Sequence, residues 1–325
     1  MKVCIVGLGA VGGYVGARLA NAGLEVSALA RGATLEAVRR DGLMLVEGES
    51  RTTAAIDVSD NPADLGTPDL IVLSVKTPSL PSVAPALRQL IGPSTTVLSM
   101  TNGVPWWFFD GLPIDKPDVP SLDPGGAMAA AVPSSAVLGS VTHLSASTPA
   151  PGVVEARFFE RIVVGEPSGG DADGRAAAVA DLLRRGGFAV EVSERIQRDV
   201  WFKLWGNMTM NPLSAITGAT MDVLLDDPDV RAFASRCMTE AAAVGSAIGI
   251  DVGITPEERH TVTRRLGAAR TSMLQDVEAG RPVELDALVT VVVEIGRSLG
   301  VPTPDLQSLL GLARVQAQVR GLYGR

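Results

Sequence analysis

The chain has 325 residues, a net charge of −8 and a sequence pI near 4.9. That balance excludes nonspecific binding to nucleic acid or to anionic membrane surfaces, both of which need a basic face. With 46% hydrophobic residues and a mean hydropathy of +0.25, the chain reads as a packed globular protein long enough for two domains.

Residues 2–7 are short, apolar, β-branched and ended by glycine, which predicts a buried parallel strand. The start of the chain shows no signal-peptide apolar region or cleavage site, and no apolar run approaches the roughly 18 residues of a membrane span. Cys4 and Cys237 stand far apart and give no disulfide framework, so a reducing compartment fits. A cytoplasmic location is expected. No metal site is read from the chain.

Gly7-Leu8-Gly9-Ala10-Val11-Gly12 spells G-x-G-x-x-G directly after the strand and opens an Ala/Gly-rich helix over residues 10–22. In that context the pattern predicts a dinucleotide fingerprint. Gly7 permits the tight turn, Gly9 lets backbone approach a pyrophosphate, and Gly12 permits close helix–strand packing. A second strand follows at residues 25–30 and ends Ala28-Leu29-Ala30-Arg31-Gly32. No carboxylate is there to bind a ribose 2′-hydroxyl, and Arg31 stands where a 2′-phosphate would sit. The expected cofactor is NADP(H). The alternative for Arg31 is a solvated loop residue.

A strand at residues 69–75, a helix to about residue 90 and a strand at 95–100 continue the alternation. The first half is therefore a doubly wound α/β domain of the Rossmann type. Ligands in such sheets bind beyond the carboxyl ends of the strands. Lys76 follows one strand and Asn102, before Gly103, follows the next, so each is a site candidate or an ordinary loop residue. Residues 104–126 break the pattern with Trp106, Trp107 and several prolines and aspartates, and read as an insertion or long loop. Residues 127–164 read as several strands with a turn near 149–152, followed by a helix near 172–186 and a strand at 188–193.

From about residue 194 only helical patterns remain, at roughly 196–210, 228–248, 256–268, 284–299 and 305–321. The expected division is an α/β domain over residues 1–193 and an all-α domain over 194–325. The chain holds 4 lysines against 24 arginines, and one lysine sits in Lys203-x3-Asn207-x3-Asn211. Steps of four residues put all three on one drifting helical stripe among apolar neighbours. Lysine, unlike arginine, becomes a proton donor near neutral pH when desolvated. The three side chains either meet a ligand, or the asparagines satisfy nearby backbone while Lys203 reaches water. Glu284 begins an apolar helical run, where the helix dipole favours a carboxylate in any case.

The residues quoted above, with the KLWGNMTMNPLSAITG stretch from Lys203 and the TSMLQD and GRPVELD stretches between Thr271 and Asp286, resemble the ketopantoate reductases over nearly the whole chain. The resemblance implies a two-domain enzyme that uses NADPH to reduce a small-molecule α-keto acid. It implies Lys203 as general acid and Glu284 as ligand of the substrate hydroxyl. It also implies substrate contacts from Asn207, Asn211 and Ser272, the last to the carboxylate, and puts Lys76 and Asn102 at the cofactor–substrate junction. Nucleic acid and membrane are not expected partners, and a homodimer is compatible. The 104–126 segment, with Pro105 to Phe109, and the segment from His143 to Val153 depart from the family pattern and leave room for a bulkier or more apolar keto acid. Two other readings stand beside this one: a dehydrogenase of a β-hydroxy acid or imine on the same architecture, or a non-catalytic NADPH sensor docking through aromatic residues 105–109.

Overall fold

The structure is a computed structural model and describes residues 1–324. Chain contacts divide it into two compact units, Met1–Thr101 with Gly126–Asp199, and Asn102–Gly125 with Val200–Arg325. The expected boundary at 193/194 falls six residues later, and residues 102–125 group with the helical unit.

The first unit is built on one ten-stranded mixed sheet. Its strands are β1 (Val3–Val6), β2 (Val26–Leu29), β3 (Leu43–Glu47), β4 (Ser50–Ala54), β5 (Asp57–Ser59), β6 (Leu70–Leu73), β7 (Thr96–Ser99), β8 (Val137–Ala150), β9 (Val153–Gly165) and β10 (Val190–Val192). The order is β4-β3-β9-β8-β7-β6-β1-β2-β5, with β10 added to β9. Among the described residues only the β3–β4 and β8–β9 pairs are antiparallel. The central strands β1, β6 and β7 are buried along their whole length, and β1 and β6 are continuous apolar runs as strands covered on both faces tend to be. Helices α1 (Ala10–Asn21), α2 (Gly32–Asp41), α3 (Leu80–Leu90), α4 (Ala127–Ala131) and α5 (Arg175–Arg185) complete the unit. The region read as several strands is mainly one long hairpin, β8 and β9, whose three register shifts bend it.

The second unit is helical: α6 (Ile196–Thr217), most of which lies here, then α7 (Met221–Asp226), α8 (Pro228–Ala247), α9 (Pro256–Arg264), α10 (Ser272–Glu278), α11 (Val291–Ser298) and α12 (Pro304–Val319). One π-helical turn, Asp286–Thr290, leads into α11. α6 does not end near residue 210 as expected but runs on through Pro212 to Thr217. Met208 is fully buried and Leu213 nearly so, so packing outweighs the one backbone bond proline removes.

Residues 102–125 join this unit because their aromatics belong to its core. Trp106, Trp107, Phe108 and Phe109 are all at most 5% exposed, so they cannot form the docking surface that the sensor reading requires. The Phe108 and Trp201 rings pack at 5.9 Å between centroids. Farther along, Ser121 donates from N and Oγ to Glu294 Oε2 at 3.0 and 2.7 Å. Both cysteines are buried and unpaired, and burial pushes their thiols up to about 11 for Cys4 and about 12 for Cys237. Among the described residues no helix is long and apolar enough to cross a membrane.

Candidate active site

The residues selected from the sequence fall into two groups, one in each unit. In the first unit, Gly7 leaves β1 with φ +101°, a conformation that side chains resist. Ser74 Oγ donates to the Gly7 carbonyl at 2.9 Å and ties the turn to the end of β6. A Cβ at Gly12 would lie 2.2 Å from that carbonyl oxygen and 2.1 Å from Ser74 Oγ, so α1 can sit this close to β1 only with glycine there. Gly9 is the opposite case: a Cβ there would meet nothing within 4 Å. Its open face belongs to a cleft of about 610 Å³ lined by Gly7, Leu8, Gly9, Arg31, Asp60 and the hairpin end from Thr148 to Gly152.

Gly9 is the N-cap of α1 and brings no side chain to the free N–H groups of the first turn, where Ala10 and Val11 lie. An uncapped helix start under an open glycine face fits a pyrophosphate, and the exposed Arg31 in the same lining fits a 2′-phosphate. Lys76 is half-buried at the N-cap of a 3-10 turn, Thr77–Ser79, and its neighbour Val75 and nearby Ser79 line the cleft. Sequence reasoning did not single out Ser74 and missed Asp60. Ser74 is one small hydroxyl at a strand end, and Asp60 follows β5, a strand of three residues with too little pattern to read.

In the second unit the expected stripe lies on α6. Trp201, Leu204, Trp205 and Met208 are buried, and Lys203 and Asn207 are half-buried one turn apart. Lys203 Nζ donates to Asn102 Oδ1 at 3.1 Å, and Asn102 Nδ2 donates to Glu284 Oε2 at 3.4 Å. Asn102 is held there by its glycine neighbour. Gly103 has φ +78°, a Cβ on it would lie 2.2 Å from the Ala287 carbonyl oxygen, and Val104 N donates to that same oxygen at 3.0 Å. Glu284, a residue only 9% exposed, stands just ahead of the π-helical turn.

Burial pushes the Lys203 ammonium from its ordinary 10.5 down to about 8, and the Glu284 carboxylate opposes that shift. An ammonium in this range is charged at neutral pH yet gives up its proton readily. Asn211, buried, donates from Nδ2 to Ser272 Oγ at 3.5 Å, a long and weak contact at the start of α10. The structure thus brings together Lys203, Asn102 and Glu284 as one cluster and Asn211 with Ser272 as a pair.

Residues 3–169 match the family described as "Ketopantoate reductase PanE/ApbA", and residues 195–317 match its C-terminal family, "Ketopantoate reductase PanE/ApbA C terminal". The chain is 39% identical to the 2-dehydropantoate 2-reductase of Mesorhizobium japonicum, over 99% of this chain and 100% of that relative. Its structure is similar to that of a candidate ketopantoate reductase from Ralstonia solanacearum MolK2, with 50% identity, a TM-score of 0.95 and 99% of both chains covered. A 2-dehydropantoate 2-reductase from Methylococcus capsulatus has 26% identity and a TM-score of 0.84 over 98% of both chains.

Proposed function

This chain belongs to the ketopantoate reductase family, and from that premise we propose that it reduces an α-keto acid, 2-dehydropantoate first among candidates, to the 2-hydroxy acid with NADPH. Gly7 to Gly12 and Arg31 would hold the cofactor, with Lys76 beside them. When bound, NADPH supplies the hydride that reduces the ketone carbon.

The chain's own residues manage the charge that then develops on the ketone oxygen. Lys203 donates a hydrogen bond to that oxygen and afterwards its proton, giving the hydroxyl. Stabilising such charge is usually the largest catalytic contribution, and proton donation adds about 10²–10⁴-fold. Asn102 orients the ammonium through its Oδ1 and contacts Glu284 through its Nδ2. Glu284 accepts from the new hydroxyl and helps keep Lys203 charged before transfer. Asn207, Asn211 and Ser272 contact the substrate, with Ser272 at its carboxylate.

The observation that carries this reading is the continuous contact from Lys203 through Asn102 to Glu284. NADPH oxidation measured over a panel of α-keto acids, with NADH in parallel, tests it. Turnover of ketopantoate that is lost in Lys203→Ala is the expected result, and retention of most turnover in that variant would reject it. The same reading includes a homodimer in the cytoplasm, which light scattering and cell fractionation test.

A further inference from the structure

Glu284 is held from both sides by residues that follow α12. The helix stops at Gly321, whose φ of +71° suits glycine. Gly321 N donates to Gln318 O at 3.0 Å and Leu322 N to Ala317 O at 2.8 Å, which closes the turn and sends the chain back. Leu322, 7% exposed, then accepts at its carbonyl from Val283 N at 3.2 Å, one residue ahead of Glu284. Tyr323, half-buried, donates from its hydroxyl to Asp286 Oδ1 at 2.6 Å, two residues beyond Glu284.

Asp286 opens the π-helical turn, and Thr290 Oγ1 donates to the same carboxylate oxygen at 2.9 Å. Such turns are rare and occur mostly at functional sites. The next residue, Ala287, accepts at its carbonyl from Val104 N, beside the Gly103 that carries Asn102. One turn, tied down by Tyr323, therefore braces both Glu284 and the backbone next to Asn102. Burial and the Asp286 carboxylate push the Tyr323 phenol up to about 12, with Arg314 opposing, so it remains a neutral donor over the range in which Lys203 titrates. Among the described residues the charge that acts on the Lys203 ammonium is that of Glu284. An effect of Tyr323 on Lys203 must then pass through Glu284.

We propose that Tyr323 is a positioning residue of this site, holding Glu284 through Asp286 and the π-helical turn where its carboxylate meets Asn102. This rests on the reading of the site as an α-keto acid reductase.

The test reads Lys203 itself. The chain has 4 lysines, so carbon-13 lysine labelling gives four Cε signals, and the one missing from Lys203→Ala belongs to Lys203. Tyr323→Phe removes the hydroxyl and keeps the ring. In that variant the Lys203 signal titrates at lower pH than in the wild type, because Glu284 is no longer held close. The kcat for 2-dehydropantoate falls about threefold or more, while the KM for NADPH stays within about threefold. Added to Glu284→Gln, Tyr323→Phe shifts the titration no further. A Lys203 signal that does not move to lower pH, or an unchanged kcat, in folded Tyr323→Phe overturns the proposal and leaves Tyr323 as a packing anchor of α12. A further shift in the Glu284→Gln background overturns it too, since the effect then bypasses Glu284. If Tyr323→Phe does not fold, Asp286→Ala is read in its place, and an unchanged titration there overturns the proposal equally. If the wild type turns over no keto acid, the reductase reading fails by itself, and the Lys203 titration, which needs no substrate, still decides for Tyr323.

Discussion

Lys203 donates through Nζ to Oδ1 of Asn102 across 3.1 Å and 101 positions of sequence. A flexible ammonium is thereby held in one place, and the same asparagine hands the contact on to Glu284. Preorganisation of this kind lets a proton donor act without rearrangement in the transition state.

The pH dependence follows from Lys203. Its pKa of about 8 means that the protonated donor dominates below that pH and is lost above it. The reductive kcat should be level near neutrality and fall about tenfold per unit above about pH 8. In Lys203→Ala the fall with pH should vanish and kcat should drop about 10²–10⁴-fold. A pH–rate profile of both proteins checks this.

Glu284 raises the pKa of Lys203 against the larger effect of burial. Glu284→Gln should therefore shift the alkaline fall in rate to lower pH and reduce kcat. A fall that moves to higher pH would contradict the pairing.

Arg31 and Asp60 line the same cleft with opposite charges. Arg31→Ala should raise the KM for NADPH about 10-fold or more, the worth of a charge-assisted contact, with little effect on NADH. Asp60→Asn removes a negative charge from the lining and should lower the KM for NADPH. Steady-state kinetics with both cofactors separate the two effects.

Gly103 holds the backbone that carries Asn102. Gly103→Ala forces a side chain into φ +78° and a Cβ to within 2.2 Å of the Ala287 carbonyl oxygen. The expected cost is about 1–3 kcal/mol or more of stability, with a fall in kcat as Asn102 moves. Urea unfolding with activity at matched folded fraction distinguishes the two losses.

Trp107, 1% exposed, anchors residues 102–125 in the helical unit. Trp107→Ala should cost about 3–5 kcal/mol, readable as a lower urea midpoint.

Where the sequence misled, the reasons are physical. Helix α2 and strands β3 to β5 went unread because they are short, and β4, Ser-Arg-Thr-Thr-Ala, is exposed at all but its last residue and carries no alternation. α6 was expected to end near residue 210, yet buried neighbours on both sides of Pro212 carry it to Thr217. The aromatics at 106–109 were read as loop residues because nothing local says which core receives them.

What the amino-acid order determined alone is what neighbouring residues encode: the glycine turn over residues 7–12, the absence of a carboxylate after β2, and the spacing that sets Lys203, Asn207 and Asn211 on one stripe. Backbone sterics and helical periodicity act over a few residues, so a string of letters contains them. Only the tertiary structure decided that Asn102 and Glu284 reach Lys203, that residues 102–125 pack with the helices, and that the ammonium is buried enough for its pKa to fall to about 8. Those outcomes depend on long-range packing and on lost hydration, which no local pattern specifies.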